Sequence, residues 1–124
     1  MEFTILSPLG LLGYGVPESS LKRAFNRFNV DVIAVDAGSI DPGPNYLGQG
    51  SFFADKDIVK RDLKLLLNAA DHHDVPLLIG TAGGSGSAVH VDKVTEIIQE
   101  LIELEELSLD GARIYTDVDR ELLR

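Results

Sequence analysis

Asp31-Val32-Ile33-Ala34-Val35-Asp36-Ala37-Gly38-Ser39 is the stretch whose reading decides the fold. Val32 to Val35 is a short apolar run without polar alternation, which suits a strand of a parallel sheet covered on both faces. An acid and then a glycine close the run, where a strand gives way to a loop. Working outward, three more runs share this character: Phe3-Thr4-Ile5-Leu6, Pro76-Leu77-Leu78-Ile79 and Ala112-Arg113-Ile114-Tyr115. Between them the apolar period changes to that of helices. The first helix starts near Pro17, a favourable first-turn residue with Glu18 behind it, and runs to about Asn29. Leu21, Ala24, Phe25 and Phe28 form its buried stripe. The second spans about Asp57 to Asp74, with Val59, Leu63, Leu66 and Ala70 on one face. The third spans about Val91 to Leu107, with Val94, Ile97, Ile98, Leu101 and Ile102 inward.

The order βαβαβαβ predicts right-handed crossovers and a Rossmann-like three-layer α/β fold with an open parallel sheet. The 124 residues are the length of one domain, at about 100–200 residues per domain. After the fourth run, Thr116-Asp117-Val118-Asp119 reads as a cap and Arg120 to Arg124 as the first turn of a helix that is left incomplete. The expectation is therefore the N-terminal portion, or a small subunit, of a larger protein. In that setting a second copy or a partner subunit supplies cover for the sheet.

Charge narrows the function classes. Eleven Lys and Arg stand against twenty Asp and Glu, for a formal charge of −9. Such a surface repels phosphate backbones and anionic membrane leaflets, so neither nucleic acid nor membrane is an expected partner. The absence of Cys removes thiol nucleophiles, disulfides and thiolate metal sites. No apolar run approaches a membrane span. The start, Met-Glu-Phe, has no basic flank and does not read as a signal peptide. A cytoplasmic domain acting on a small molecule is the expectation.

Eleven of the twelve glycines lie at or just after the ends of the first three strands. In open α/β sheets, ligands bind outside the carboxyl ends of the strands. Glycine permits close backbone approach there, and backbone N–H groups near helix starts attract anions. The middle loop, Asp36 to about Ala54, is longer than its connection requires, and loops of this length are commonly functional or disordered.

The residues on this rim resemble a known family. Ile5-Leu6-Ser7-Pro8 running into Gly10 and Leu12-Gly13-Tyr14-Gly15, then Asp31 to Ser39, Asp41-Pro42-Gly43-Pro44 and Tyr46-Leu47-Gly48 are similar to the acyclic terpene utilisation AtuA family. Val59-Lys60-Arg61-Asp62-Leu63 and Ile79-Gly80-Thr81-Ala82-Gly83-Gly84 extend the resemblance over most of the chain. Members are considerably longer, so the resemblance is to their N-terminal part. It implies a role in breaking down acyclic terpenoids or other branched acyl groups as thioesters, and leaves lyase, hydrolase and hydratase chemistry open.

Several constellations on the rim can carry chemistry. Gly10, Gly13 and Gly15 space as G-x-x-G-x-G rather than the G-x-G-x-x-G of dinucleotide sites, so no nicotinamide cofactor is inferred and the cofactor stays unknown. Asp36 and Asp41 frame Gly38 and Ser39 and can converge with Tyr46, as acid–base groups or as groups orienting a substrate hydroxyl. Asp36 can equally cap the loop through an Asx turn, and Asp41-Pro42-Gly43-Pro44 is good turn sequence in its own right. Thr81-Ala82-Gly83-Gly84-Ser85-Gly86-Ser87 can form a concave nest of N–H groups with added hydroxyls, suited to a carboxylate, a phosphate or a thioester oxygen. No Gly-Lys-Ser or Gly-Lys-Thr follows, so it is not a P-loop.

His90, just downstream at the helix start, is the imidazole best placed for acid–base work, although a lone His there often faces solvent. Asp71-His72-His73-Asp74 resembles a metal cluster by composition only. It falls on the opposite rim, and consecutive helical residues point about 100° apart. Its histidines are better read as complements to the helix dipole, and no metal is expected. The candidate site therefore comprises Asp36, Asp41 and His90 for catalysis. Gly13, Tyr14, Gly15, Ser39, Tyr46, Thr81, Gly83, Gly84 and Ser85 would bind an acyl thioester or carboxylate. The competing reading is a non-catalytic subunit or interaction domain.

Overall fold

Val32–Asp36 forms the central strand, β2, flanked by β1 (Ile5–Leu6) and β3 (Leu77–Gly80), both parallel to it. The computed structural model describes residues 2–39 and 43–123. The helices are α1 (Glu18–Arg27), α2 (Pro44–Gln49), α3 (Lys56–His73) and α4 (Ala88–Leu104), with 3-10 turns at Ala82–Gly84 and Arg120–Leu123. The class is α/β with a parallel sheet, as the periodicity predicts.

Register explains how the sheet meets its helices. Ile5 pairs with Val32 and Leu6 with Ile33, while Ile33, Ala34, Val35 and Asp36 pair with Leu77, Leu78, Ile79 and Gly80. The strands follow one another in chain order, β1-β2-β3, and one face of the sheet carries the core shared with the long helices. On that face Leu6, Ile33, Val35, Leu77 and Ile79 meet Leu21 of α1, Leu63 and Leu66 of α3, and Val94, Ile97 and Leu101 of α4. Ile33, Leu63, Leu66, Ile97 and Leu101 are fully buried, each contributing about 1.5–3 kcal/mol of transfer free energy. On the opposite face Val32 is buried, but Ile5 and Leu78 are 61% and 58% exposed.

Two parts of the sequence reading change. The middle loop holds α2, whose short span starts on Pro44 at a first-turn position and ends in left-handed Gly50. It carries too few apolar residues to display a period. Ala112–Tyr115 is not a strand; it is exposed and lies along α4 instead. Arg113 and the Tyr115 hydroxyl both reach the Asp92 carboxylate, at 3.1 and 2.5 Å. Asp117 then accepts from the Ala88 N–H at 2.9 Å, capping the first turn of α4 across the sequence. A strand exists only by pairing, and these polar contacts hold the segment away from a sheet edge. The final residues form a 3-10 turn started by Asp119, which accepts from the Glu121 N–H. Among the described residues no helix is long and apolar enough to cross a membrane.

Candidate functional site

At the carboxyl ends of the strands the three loops are tied together through β2. Leu12 N–H donates to the Asp36 carbonyl on one side, and Ala37 N–H to the Gly80 carbonyl on the other, both at 2.9 Å. The Asp36 carboxylate continues this knot: Oδ1 accepts from Gly38 N–H and from the Thr81 hydroxyl, each at 2.7 Å. This is the Asx turn anticipated as one role for Asp36, extended to a second loop. Thr81 takes a left-handed backbone conformation to reach it. The Ser39 hydroxyl donates to the Gly10 carbonyl. Asp36, Ser39 and Thr81 thus fasten the rim together, while Asp41 lies outside the described residues.

Gly13 and Gly15 belong to a different arrangement. Their N–H groups both donate to Oδ2 of Asp62, at 3.0 and 2.9 Å. These amides are directed into the protein rather than toward a ligand. Asp62 is fully buried, and its Oδ1 takes the Arg61 guanidinium at 3.0 Å. Tyr14, between the two glycines, is exposed. A signal for Asp62 was present in the sequence: it follows Val59 by three residues and precedes Leu66 by four, on the buried stripe of α3.

The remaining candidates converge. Tyr46, Leu47 and Phe53 from the middle loop face Gly83, Gly84, Ser85 and His90 across a cleft of about 250 Å³. Tyr46 and Phe53 meet edge to face at 5.5 Å, fixing the apolar wall. The polar end is built by α4. That helix begins at Ala88, so His90 sits inside its first turn rather than at its start, on the same stripe as Val94, Ile97 and Leu101. His90 is 1% exposed, not solvent-facing.

Its protonation follows from its partners. A carbonyl can only accept, so the 3.1 Å contact to the Ser51 carbonyl assigns a proton to Nε2. Nδ1 of the neutral ring is then an acceptor, and the Ser85 hydroxyl donates to it at 2.7 Å. The Ser87 N–H in turn donates to Ser85 Oγ at 3.2 Å. Lys93 Nζ donates to the Gly50 carbonyl, holding the backbone next to Ser51. Burial holds the His90 imidazole below its ordinary value, the Ser51 hydrogen bond opposes this, and the Lys93 charge adds to the lowering.

A stability consequence follows with a definite sign. Between the lowered folded value and the ordinary 6.5, the unfolded state binds the His90 proton more readily. His90 therefore stabilises the fold in full above about pH 6.5 and loses that contribution as pH falls below it. Melting temperature is expected to fall from pH 7.5 to 5.5, with a shallower fall in His90→Gln. His73 shares the direction, lowered by desolvation and by His72, and contributes equally to both curves.

The expected nest at Thr81–Ser87 is largely satisfied from within. Gly84 N–H donates to the Thr81 carbonyl at 2.9 Å, and Ser85 and Gly86 N–H groups both donate to the Ala82 carbonyl. Among the described residues no cationic side chain lines the cleft. On the far rim the four residues after Ala70 serve separate ends: Asp71 accepts from Ser108 N–H, His73 stacks on Phe25 at 3.9 Å with the His72 ring edge-on to it at 4.8 Å, and Asp74 closes the helix in the left-handed region. Among the described residues no group of three or more metal-ligating side chains comes together. Comparison with family models, with curated proteins and with solved structures finds no match to this chain.

Proposed function

We propose that the domain binds the acyl group of a small thioester in the cleft between the middle loop and the Gly83–Ser85 loop. The observation that carries this reading is the cleft's division into an apolar wall, Tyr46, Leu47 and Phe53, and a polar end, Ser85 with His90. A branched acyl chain fits the first, and its carbonyl the second. A neutral carbonyl suits this site better than a free carboxylate or phosphate, because the imidazole is neutral and, among the described residues, no cation lines the cleft to compensate an anion. The size, about 250 Å³, takes an acyl group and leaves its carrier outside. The resemblance to AtuA-like proteins through Asp31–Ser39 and Ile79–Gly84 supports the same substrate class, in catabolism of acyclic terpenoids or branched acyl groups in the cytoplasm.

A thermal-shift series tests the reading, using coenzyme A, isobutyryl- and isovaleryl-coenzyme A, the free acids and phosphate. Ligand at about 100 times its Kd adds roughly 2.7 kcal/mol, several degrees in a domain of this size. The branched thioesters are expected to stabilise the protein and coenzyme A alone is not. Phe53→Trp, which fills the cleft at a partly exposed position, should abolish the shift. No shift with any acyl thioester overturns the reading.

A second reading is favoured by one observation, the exposed apolar Ile5 and Leu78 on the sheet face opposite the helices. Cover there, from a second copy or a partner subunit, would complete a Rossmann-like three-layer arrangement around a non-catalytic domain. Sedimentation as a monomer with an unchanged melting temperature on dilution would count against an obligatory second copy.

A further inference from the structure

We propose that Ser85 is a nucleophile and His90 its general base, so that the cleft does not merely hold an acyl thioester but transfers its acyl group to Ser85 Oγ. The proposal rests on the thioester-binding reading and goes beyond it in assigning a covalent step. Three geometric facts support it. The Ser85 hydroxyl is already within transfer distance of Nδ1, at 2.7 Å. The other ring nitrogen is held by the Ser51 carbonyl at 3.1 Å, which fixes both the tautomer and the ring plane. Both residues line the cleft where the carbonyl end of the ligand would lie. Nucleophile, base and orienting group are thus in sequence, with a backbone carbonyl in the place that a carboxylate often takes.

A serine that only fastens the Gly83–Gly86 loop could bond to any acceptor. Here the acceptor is an imidazole whose burial keeps it unprotonated near neutral pH, available to take a proton. Phe52 meets the ring edge to face at 6.0 Å and restrains it from one side. Lys93, which anchors Gly50, and the Ser51 carbonyl are positioning groups: they act through His90 and touch no substrate.

In the first step Ser85 Oγ attacks the thioester carbonyl carbon while its proton moves to His90 Nδ1. The C–S bond breaks and the departing thiolate takes that proton, leaving an ester on Ser85 and a free thiol. In the second step water gives a proton to the same Nδ1 and adds to the ester carbon. The C–O bond to Ser85 breaks and Oγ recovers the proton. The sum is thioester plus water giving carboxylic acid plus thiol.

The test uses the intact chain and a fluorophosphonate, whose phosphorus forms a bond to an activated serine oxygen as fluoride leaves with the proton. The expected result is a single adduct mapped to Ser85, formed at least about 100-fold faster than on a serine amide and slowed to that background rate in His90→Gln. Ser85→Ala should lose the adduct. No adduct at Ser85 in a protein that shows the shift overturns the covalent step and leaves the binding reading standing. Should Ser85→Ala fail to fold, Ser85→Cys replaces it. The chain has no cysteine, so that variant carries one thiol, and the difference between its alkylation midpoint and that of Ser85→Cys combined with His90→Gln reports on His90, since the Ser87 N–H beside it is common to both. A midpoint clearly below that of the double variant supports the pair, and equal midpoints overturn it.

Discussion

Asp62→Ala is expected to lose about 3–5 kcal/mol of stability, the range for removing one member of a buried, hydrogen-bonded charged group. The variant deletes the acceptor of two backbone N–H groups, Gly13 and Gly15, which the carboxylate holds at 3.0 and 2.9 Å. Bonds to a charged acceptor contribute about 1.5–3 kcal/mol each, and a donor left buried costs its desolvation besides. Gly13 suffers more, because its bond to Asp62 is buried and that of Gly15 only partly so. Both glycines adopt positive φ, 103° and 101°, so the loop has no other regular structure to fall back on. Urea denaturation should show a lower midpoint with an unchanged slope.

Two companion variants separate the causes. Arg61→Ala removes the guanidinium at Oδ1, but that side chain is 57% exposed, and exposed partners contribute little. Its loss should be well below that of Asp62→Ala. Asp62→Asn keeps the shape and one oxygen for the glycines, at the expense of turning its amide toward Arg61, and should fall between the two. If Arg61→Ala matches Asp62→Ala, the ion pair and not the loop tether dominates.

What could be read in the sequence, and what could not, divides along one physical line. Val32–Val35 and Leu77–Ile79 were legible because a strand buried on its core face writes a continuous apolar run, and the observed strands differ from the reading by single residues. The long helices α3 and α4 were legible for the same reason, with ends displaced by one to three residues. Ala112–Tyr115 carries the same local signal, yet its fate depends on Asp92 and Ala88, more than twenty residues away. Local propensity contains nothing about such partners. Two buried polar residues, Asp62 and His90, lie between these cases. Asp62 and His90 each interrupt an apolar stripe at a core position, which a helical reading can detect. Who satisfies them can be known only from the folded loops: Gly13 and Gly15 for one, Ser85 and Ser51 for the other. The candidate residues were therefore partly visible, while their grouping into an internal tether and an open cleft was not.

The cleft makes its own demand on the backbone, and a graded glycine series measures it. Gly83→Ala is expected to cost about 2–5 kcal/mol. Its φ of +71° would strain any L-residue by about 1–2 kcal/mol. An added Cβ would also lie 2.6 Å from His90 Cβ and 2.9 Å from the Phe52 ring, and overpacking of this kind adds about 1–3 kcal/mol. Phe52 can turn away, but His90 Cβ is fixed to α4 and cannot. Gly84→Ala supplies the control for strain alone, since its φ is +108° but the nearest atom to an added Cβ is 3.9 Å away. Gly48→Ala supplies the control for neither, having nothing within 4 Å, and should be neutral or slightly stabilising. Denaturation midpoints are expected in the order Gly48→Ala, Gly84→Ala, Gly83→Ala, highest first. A Gly83→Ala midpoint equal to that of Gly84→Ala would mean that His90 does not pack against this loop. The cleft's polar end would then lack the contact that sets Ser85 beside it. If the order holds, glycine at residue 83 is required by the approach of the imidazole, and the loop and α4 are built to bring that ring to the cleft.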